Sequence, residues 1–458
     1  MQAIHLYLSR PQNSFLPHPL SRLLLSMLLA IFSGKWALNP GRILISALSF
    51  IVFLILDLLD FILCIFYRFM DGFWEGQASP CYCEKNGEQR ISVGENEEGE
   101  LSETLYRREN VFREMGFLGF SGKWENSRKI EAGKIGARWS DCGCQSCLSW
   151  MSNGEDKLHV CISEPTRDFT DTDKDSSGKP AENVIFLHGF LCSSSFWREA
   201  VFPNLSEPVK QNHRLFAVDL LGFGRSPKPR NCFYTIKDHL EMIEKSVICP
   251  FQLNSFHLVA HSMGCIIAIA LAAKYSKSVK SITLVAPPFF PLKDRGDVGV
   301  LEKLVEKRLW PPLKFGSAVM SWYEHVGRSV CFLVCRNHRT WERIVKLLTR
   351  RRDLHYMTID LPRHTHHSGW HTMHNVICGG AKLMGGYLKV LTEARVKISV
   401  VHGDKDQVVP MECCNTIKAM APHAEVDIIR DANHSTVILG RKKEFARYLE
   451  YTWLSSQS

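Results

Sequence analysis

Apolar positions along the chain fall into three regimes, each predicting a different kind of element. From Ile43 to Tyr67 runs ILISALSFIVFLILDLLDFILCIFY, 25 residues in which Asp57 and Asp60 are the only charges. As a helix rising ~1.5 Å per residue, this run is long enough to cross a ~30 Å hydrocarbon core. Its apolar character runs all round, without the stripe of a surface helix, and the two aspartates, three apart, share one face. Upstream, Leu23 to Phe32 (LLLSMLLAIF) is too short to span and has the form of a signal-peptide core. From Gln77 to Gly136 the chain turns polar and weakly periodic, predicting a linker with one short helix near Leu105 to Met115.

From Lys157 onward, short apolar and β-branched runs alternate with helical patterns. KLHVCISEP, NVIFLHG (Asn183 to Gly189), HRLFAVDLLGFG, LNSFHLVAHS and VKSITLVAPP predict strands, and TIKDHLEMIEKSV (Thr235 to Val247) predicts a helix. Near-continuous apolar strands separated by amphipathic helices predict an α/β fold with a mostly parallel sheet covered on both faces. Functional groups in such a sheet project from the carboxyl ends of the strands. Between Pro291 and Arg395 the strand pattern stops. WPPLKFG, SAVMSWYEHVGRSV and RTWERIVKLLTRRRD are aromatic, basic and helix-prone, predicting a helical lid inserted after the sixth strand, in which Trp310, Phe315, Trp322, Tyr323 and Trp370 suit an acyl chain and Arg350, Arg351 and Arg352 a phosphate or carboxylate headgroup. The expected organisation is a membrane-directing segment over 1–76, a polar cysteine-bearing linker over 77–156, and a catalytic domain over 157–458 with its lid at about 291–395.

Composition narrows the classes. Apolar residues at 45% and charged residues at 22% exclude disorder throughout the chain. The net charge of +9 is not gathered into a nucleic-acid-binding arm, so no nucleic acid is expected; it suits a pectic, phospholipid or other acidic surface. Arg10, Arg22, Lys35 and Arg42 precede the long apolar run, whereas Arg68 and Lys85 after it stand beside Asp71, Glu75 and Glu84. That bias predicts a cytoplasmic N-terminus and an exofacial remainder, secreted or held at the membrane. Of the 16 cysteines, Cys81 and Cys83 lie next to the span, where acylation is chemically sensible and an ordinary disulfide competes. Cys142, Cys144 and Cys147 are close enough to hold zinc, but a structural site takes four ligands and no matching second pair follows. Disulfides are the expected fate outside the cytosol, and no metal is expected. His367, His371 and His374 fall on one helical face and are expected to line the lid or cleft.

The chemistry concentrates at Ala260-His261-Ser262-Met263-Gly264, a pentapeptide between an apolar strand and the helical run CIIAIALAAKY. Strand, sharp turn at a serine and helix together make a nucleophile elbow, and the small residues at Ala260 and Gly264 allow close backbone approach. A serine hydroxyl needs a base, and the base an orienting acid. Asp406 follows the strand KISVVHGDKD and His434 follows AEVDIIRDANHS, giving the chain order Ser, Asp, His; Asp404 is the alternative acid. The Phe190 and Met263 amides are the expected oxyanion donors, with His188 and Gly189 shaping the loop that carries Phe190.

These residues resemble the α/β-hydrolase superfamily over roughly Asn183 to Leu454. FHLVAHSMGC, AVDLLGFGRSPKP, FLHGFLCSSSFW, WYEHVGRSV, HTHHSGWHTMHN and RKKEFARYLE, with ILDLLDFILC and RWSDCGCQSCLSW outside that core, are similar to the BODYGUARD family of plant proteins. The resemblance implies an epidermal, membrane- or wall-associated lysophospholipase-type hydrolase needed for cuticle formation. It also implies a lipidated cysteine after the hydrophobic segment, at Cys83. Met1 to Arg42 forms a longer N-terminal extension than the family pattern. The expected function is a Ser-His-Asp hydrolase of lipid esters that needs no cofactor, with a lipid or acyl ester as its substrate. An acyltransferase making cutin polyester, or a non-catalytic lipid-binding scaffold, would use the same fold.

Overall fold

The computed structural model describes residues 40–76, 82, 101–105, 110, 112, 138–152, 157–166, 181–290, 316 and 319–455. Seven strands form one sheet in the order β1-β3-β2-β4-β5-β6-β7. They are β1 (Val160–Ser163), β2 (Glu182–Leu187), β3 (His213–Val218), β4 (Phe256–His261), β5 (Val279–Val285), β6 (Lys397–Gly403) and β7 (Glu425–Ile429). All neighbours are parallel except the edge strand β1, which runs antiparallel to β3. The helices used below are α1 (Pro40–Glu75), α2 (Gln145–Ser152), α3 (Met263–Lys274), α4 (Glu324–Leu333), α5 (His338–Thr349), α6 (His366–Thr372), α7 (Gly380–Glu393) and α8 (Lys442–Leu454).

The alternation of side chains along a strand explains why the strand sequences are largely apolar on both faces. Ile185 and Leu187, Phe216 and Val218, and Leu258 and Ala260 point to one face, where they pack with α3. Val184 and Phe186, Leu215 and Ala217, and Val259 point to the other, against Trp197 and against Phe445, Leu449 and Trp453 of α8. Successive residues thus serve opposite cores, and no position on the central strands is left for a polar face. Helix α3 is buried from Met263 to Ala272. It is apolar on all sides because it lies between the sheet and α7.

The helical insertion falls between β5 and β6, after the fifth of the seven described strands instead of after a sixth. A single antiparallel strand precedes β2 among the described residues.

Helix α1 differs from its sequence reading in an instructive way. Asp57, Asp60, Cys64, Tyr67 and Asp71, spaced three and four apart, form a continuous stripe, and all five are buried. Ile55, Ile62, Phe66, Phe69 and Phe73 are exposed. The helix therefore has a stripe after all, inverted relative to a soluble protein: polar groups inside and large apolar ones outside. Residues Phe50–Glu75 are long and apolar enough to cross a membrane.

Two units divide within α1. One comprises Met1–Leu63 with Arg108–Glu125, and the other Cys64–Arg107 with Asn126–Ser458. In the first, Asn110 Nδ2 donates to the Asp57 carbonyl at 2.9 Å. In the second, the end of α1, the segment 138–152 and α4 interlock. Arg328 makes a two-pronged ion pair with Asp71 (2.8 and 2.6 Å), and Trp139 Nε1 donates to the same carboxylate at 2.6 Å. Tyr67 and Ser329 are joined at 3.0 Å by their hydroxyls. The division at Cys64 thus puts the last turns of α1 and the cysteine-bearing segment with the hydrolase core. The sequence reading separates them at 76 and 156.

Candidate active site

β4 ends at His261, and the chain turns into α3 through Ser262, whose φ of 51° and ψ of −125° lie in a region that L residues rarely occupy. Neighbours hold this strained turn closed. The Ser262 N–H donates to the Val285 carbonyl at 2.8 Å, and the Ser262 carbonyl accepts from Cys265 N–H at 2.8 Å. Strain of this kind persists only where the surroundings over-determine it. It lifts the serine hydroxyl off the sheet's carboxyl edge toward the two loops that follow β6 and β7.

Small residues make that packing possible. A Cβ on Gly264 would stand 2.6 Å from the His188 carbonyl oxygen and 2.8 Å from that of Leu187. A Cβ on Gly189 would stand 3.2 Å from the Ser262 Cβ. Ala260 sits in register between Leu187 of β2 and Leu284 of β5 and is fully buried. Replacing Gly264 by Ala forces α3 away from backbone atoms that cannot rotate aside. We expect Gly264→Ala to lose about 1–3 kcal/mol of stability, together with activity, measured by chemical denaturation and ester hydrolysis on one preparation. A variant as stable as the parent would contradict this packing.

His434 Nε2 lies 3.0 Å from Ser262 Oγ, and His434 Nδ1 lies 2.7 Å from Asp406 Oδ2. The second Asp406 oxygen accepts from the Val408 and Val409 N–H groups at 2.8 and 2.9 Å. Burial acts to raise the Asp406 carboxyl. The hydrogen bond from His434, helped by its charge and the two amides, outweighs burial and leaves the pKa below the ordinary value. Asp406 is thus an anion whose four-sided environment fixes the His434 ring. Asp404 is exposed and spends its N–H on the Ile429 carbonyl. Of the two weighed acids, Asp406 is the one beside the imidazole.

The loop after β2 is braced from below. His188 accepts from Leu220 N–H at Nε2 (2.9 Å) and donates from Nδ1 to the Gly189 carbonyl (2.7 Å), which assigns its tautomer. Burial pushes its pKa down, so the ring is a neutral strut. Phe190 packs edge-on to Phe223 at 5.7 Å. Met263 begins α3, so its N–H has no partner within the helix. Among the described residues, neither the Phe190 nor the Met263 N–H has an acceptor. His261 donates from Nε2 to the His434 carbonyl at 3.0 Å and stacks on Phe196. Burial drives its pKa down to about 3, so it supports the histidine loop as a neutral group.

Other expected residues are dispersed. Trp310 and Phe315 of the insertion, and Cys81 and Cys83, lie outside the described residues. Tyr323 and Trp370 are buried, and Arg350 to Arg352 are exposed at the end of α5. His367 donates to the Cys232 carbonyl and packs its ring 4.2 Å from that of His371, while His374 bonds the Thr104 hydroxyl. Cys142, Cys144 and Cys147 do meet a fourth donor, contrary to the sequence expectation: His338, on α5, approaches Cys144 and Cys147 at 3.5 Å each. Almost two hundred positions separate the two segments, so local spacing carried no trace of the meeting. Its one legible half was His338 and Glu342, four apart on a helix.

A family model for the alpha/beta hydrolase fold matches residues 182–306. The chain is 52% identical over 422 residues to probable lysophospholipase BODYGUARD 4 of Arabidopsis thaliana, covering 91% of this chain and 98% of that one. It is 50% identical to BODYGUARD 5 (89% and 95% covered) and 40% identical to BODYGUARD 1 (88% and 95%) of the same plant, both also named probable lysophospholipases.

Proposed function

From the premise that the chain belongs to the BODYGUARD family of α/β-hydrolases, we propose that it is a serine hydrolase of lipid esters, with a lysophospholipid as substrate class. The observation that carries this reading is the continuous hydrogen-bond relay from Ser262 through His434 to Asp406 at a strained elbow. In the first half-reaction Ser262 Oγ attacks the acyl carbonyl while His434 Nε2 takes its proton. The negative charge on the carbonyl oxygen is held by the Phe190 and Met263 N–H groups, beside the positive end of α3. The C–O bond to the glycerol oxygen then breaks, and His434 returns the proton to it. Water, deprotonated by His434, attacks the acyl-enzyme and releases the fatty acid and free serine. Asp406 keeps Nδ1 protonated throughout and offsets the imidazolium charge.

The inverted face of α1 supports a site of action at a membrane. Its exposed apolar side chains need an apolar neighbour, and a bilayer supplies one along the length of a helix. The charge bias around that helix supports an exofacial hydrolase domain. The relatives' names support the lysophospholipid class.

A fluorophosphonate probe tests the reading, because it is captured only by an activated serine. The folded full-length protein is expected to label, and Ser262→Ala is not. Failure of the folded parent to label would remove the catalytic reading. Product analysis with 1-palmitoyl lysophosphatidylcholine is expected to show free palmitate. A hydroxy-fatty acid ester formed in preference to free acid, when such an acceptor is present, would make the enzyme a transferase.

A further inference from the structure

Outside the serine site, the described residues hold two clusters in which sulfur and imidazole nitrogen converge. In the first, the donor atoms of Cys142, Cys144, Cys147 and His338 all lie within 4.8 Å of one another. In the second, those of Cys331, Cys335 and His364 do the same. We propose that these are two structural zinc sites: Cys142, Cys144, Cys147 and His338 in one, and Cys331, Cys335, His364 and His366 in the other. The proposal is independent of the serine chemistry and rests on different atoms.

The spacing within the first cluster suits a tetrahedral ion. With Zn–S near 2.3 Å and Zn–N near 2.05 Å, tetrahedral angles place sulfur and nitrogen about 3.5–3.6 Å apart. His338 Nε2 stands 3.5 Å from both Cys144 Sγ and Cys147 Sγ. The Cys142 sulfur also accepts from the Cys144 N–H at 3.5 Å, as a thiolate bound to a cation does in a tight turn. His338 carries the outer partner such a ligand requires: its Nδ1 faces Glu342 Oε1 at 3.3 Å, leaving Nε2 to the sulfurs.

The second cluster repeats this design with different parts. Cys331 on α4 and Cys335, two residues past its end, present both sulfurs to His364 Nε2 at 3.6 and 3.7 Å. His364 Nδ1 donates to the Leu361 carbonyl at 2.9 Å, which again commits Nε2 to the sulfurs. His366, two residues beyond His364, lies outside this three-donor group but has a buried Nε2 with no hydrogen-bond partner among the described residues, an orphan that turning in to a metal would satisfy. Two sulfurs and two imidazoles, or three sulfurs and one, are donor sets that favour zinc over harder cations. The thiols lose their protons to solvent on binding.

The ions would act as staples. The first joins α2 and the residues just before it to α5, and the second joins α4 to the start of α6. Metal would then hold parts of the insertion to one another and to the segment 142–147.

Zinc measured by mass spectrometry on the full-length chain, purified in detergent without chelator, is expected at about two ions per chain. Cys144→Ser and Cys335→Ser should each lower it to about one, and Ser262→Ala should leave it at about two. X-ray absorption should show mixed sulfur and nitrogen ligation. His338→Cys, which supplies a fourth sulfur and spares the fold, should keep the metal and raise the sulfur count. A zinc-free parent, or Cys142, Cys144 or Cys147 recovered in disulfides from folded protein, would overturn the first site. A parent whose zinc content is unchanged by Cys335→Ser would overturn the second.

Discussion

Ser262→Ala is expected to cut turnover of lysophospholipid by about four to six powers of ten, with substrate binding nearly unchanged. The size follows from the division of labour at the site. Removing Oγ removes the atom that forms the covalent bond, and the Phe190 and Met263 amides retain whatever assistance they give to direct attack by water. The substitution adds no bulk and tolerates the strained turn no worse than serine does, since both residues carry one Cβ. Loss of activity should therefore come without loss of structure, and matching thermal unfolding of the two proteins checks that. The assay is release of fatty acid under single-turnover conditions. A residual rate above about one hundredth of the parent would assign the nucleophile elsewhere.

Asp71→Ala is expected to lose about 3–5 kcal/mol of stability, although Asp71 lies far along the sequence from the hydrolase core. Its carboxylate is almost fully buried and holds both arms of the equally buried Arg328 as well as the indole of Trp139. The Arg328 guanidinium lies over Tyr67 at 4.4 Å and cannot reach solvent without disrupting α4. Removing its partner leaves a desolvated cation, which costs more than the pair contributes. The sign of the double variant makes the explanation testable. Asp71→Leu with Arg328→Met should be more stable than Asp71→Ala alone, because two apolar side chains need no compensation. Denaturant midpoints of the detergent-solubilised proteins give both comparisons. Equal loss in the single and double variants would mean that packing, and not the buried charge, sets the cost.

What the sequence disclosed and what it hid follow from the range of the interactions concerned. The sheet was legible because each central strand serves two cores, and that demand writes an apolar run of fixed length. The elbow was legible because strand, turn and helix are contiguous, so His261 to Gly264 carry their geometry locally. Asp406 and His434 were legible only through their order and their positions after strands. The choice between Asp404 and Asp406 rests on which carboxylate turns inward, a property of the loop closed by the Val408 and Val409 amides. Three features left no local trace. Asp71 meets Arg328, Cys144 meets His338, and Cys331 meets His364 across folds of the chain that no periodicity records. The stripe on α1 was hidden for another reason. Three aspartates, a cysteine and a tyrosine in so apolar a helix read as scattered exceptions until their common burial is seen.

The interlock at the end of α1 bears on how freely this protein could be taken apart or recombined. An anchor that merely tethers an enzyme is exchangeable: any span of similar length, joined by any linker, would serve. Here the last turns of α1 supply Asp71 to Arg328, Glu75 to the Trp139 amide and to Arg230, and Tyr67 to Ser329. A chain begun at Lys157, or given a foreign anchor ending before Cys64, would lose these partners and keep a hydrolase with unmatched charge in its insertion. The end of α1 and the hydrolase core are therefore one structural unit.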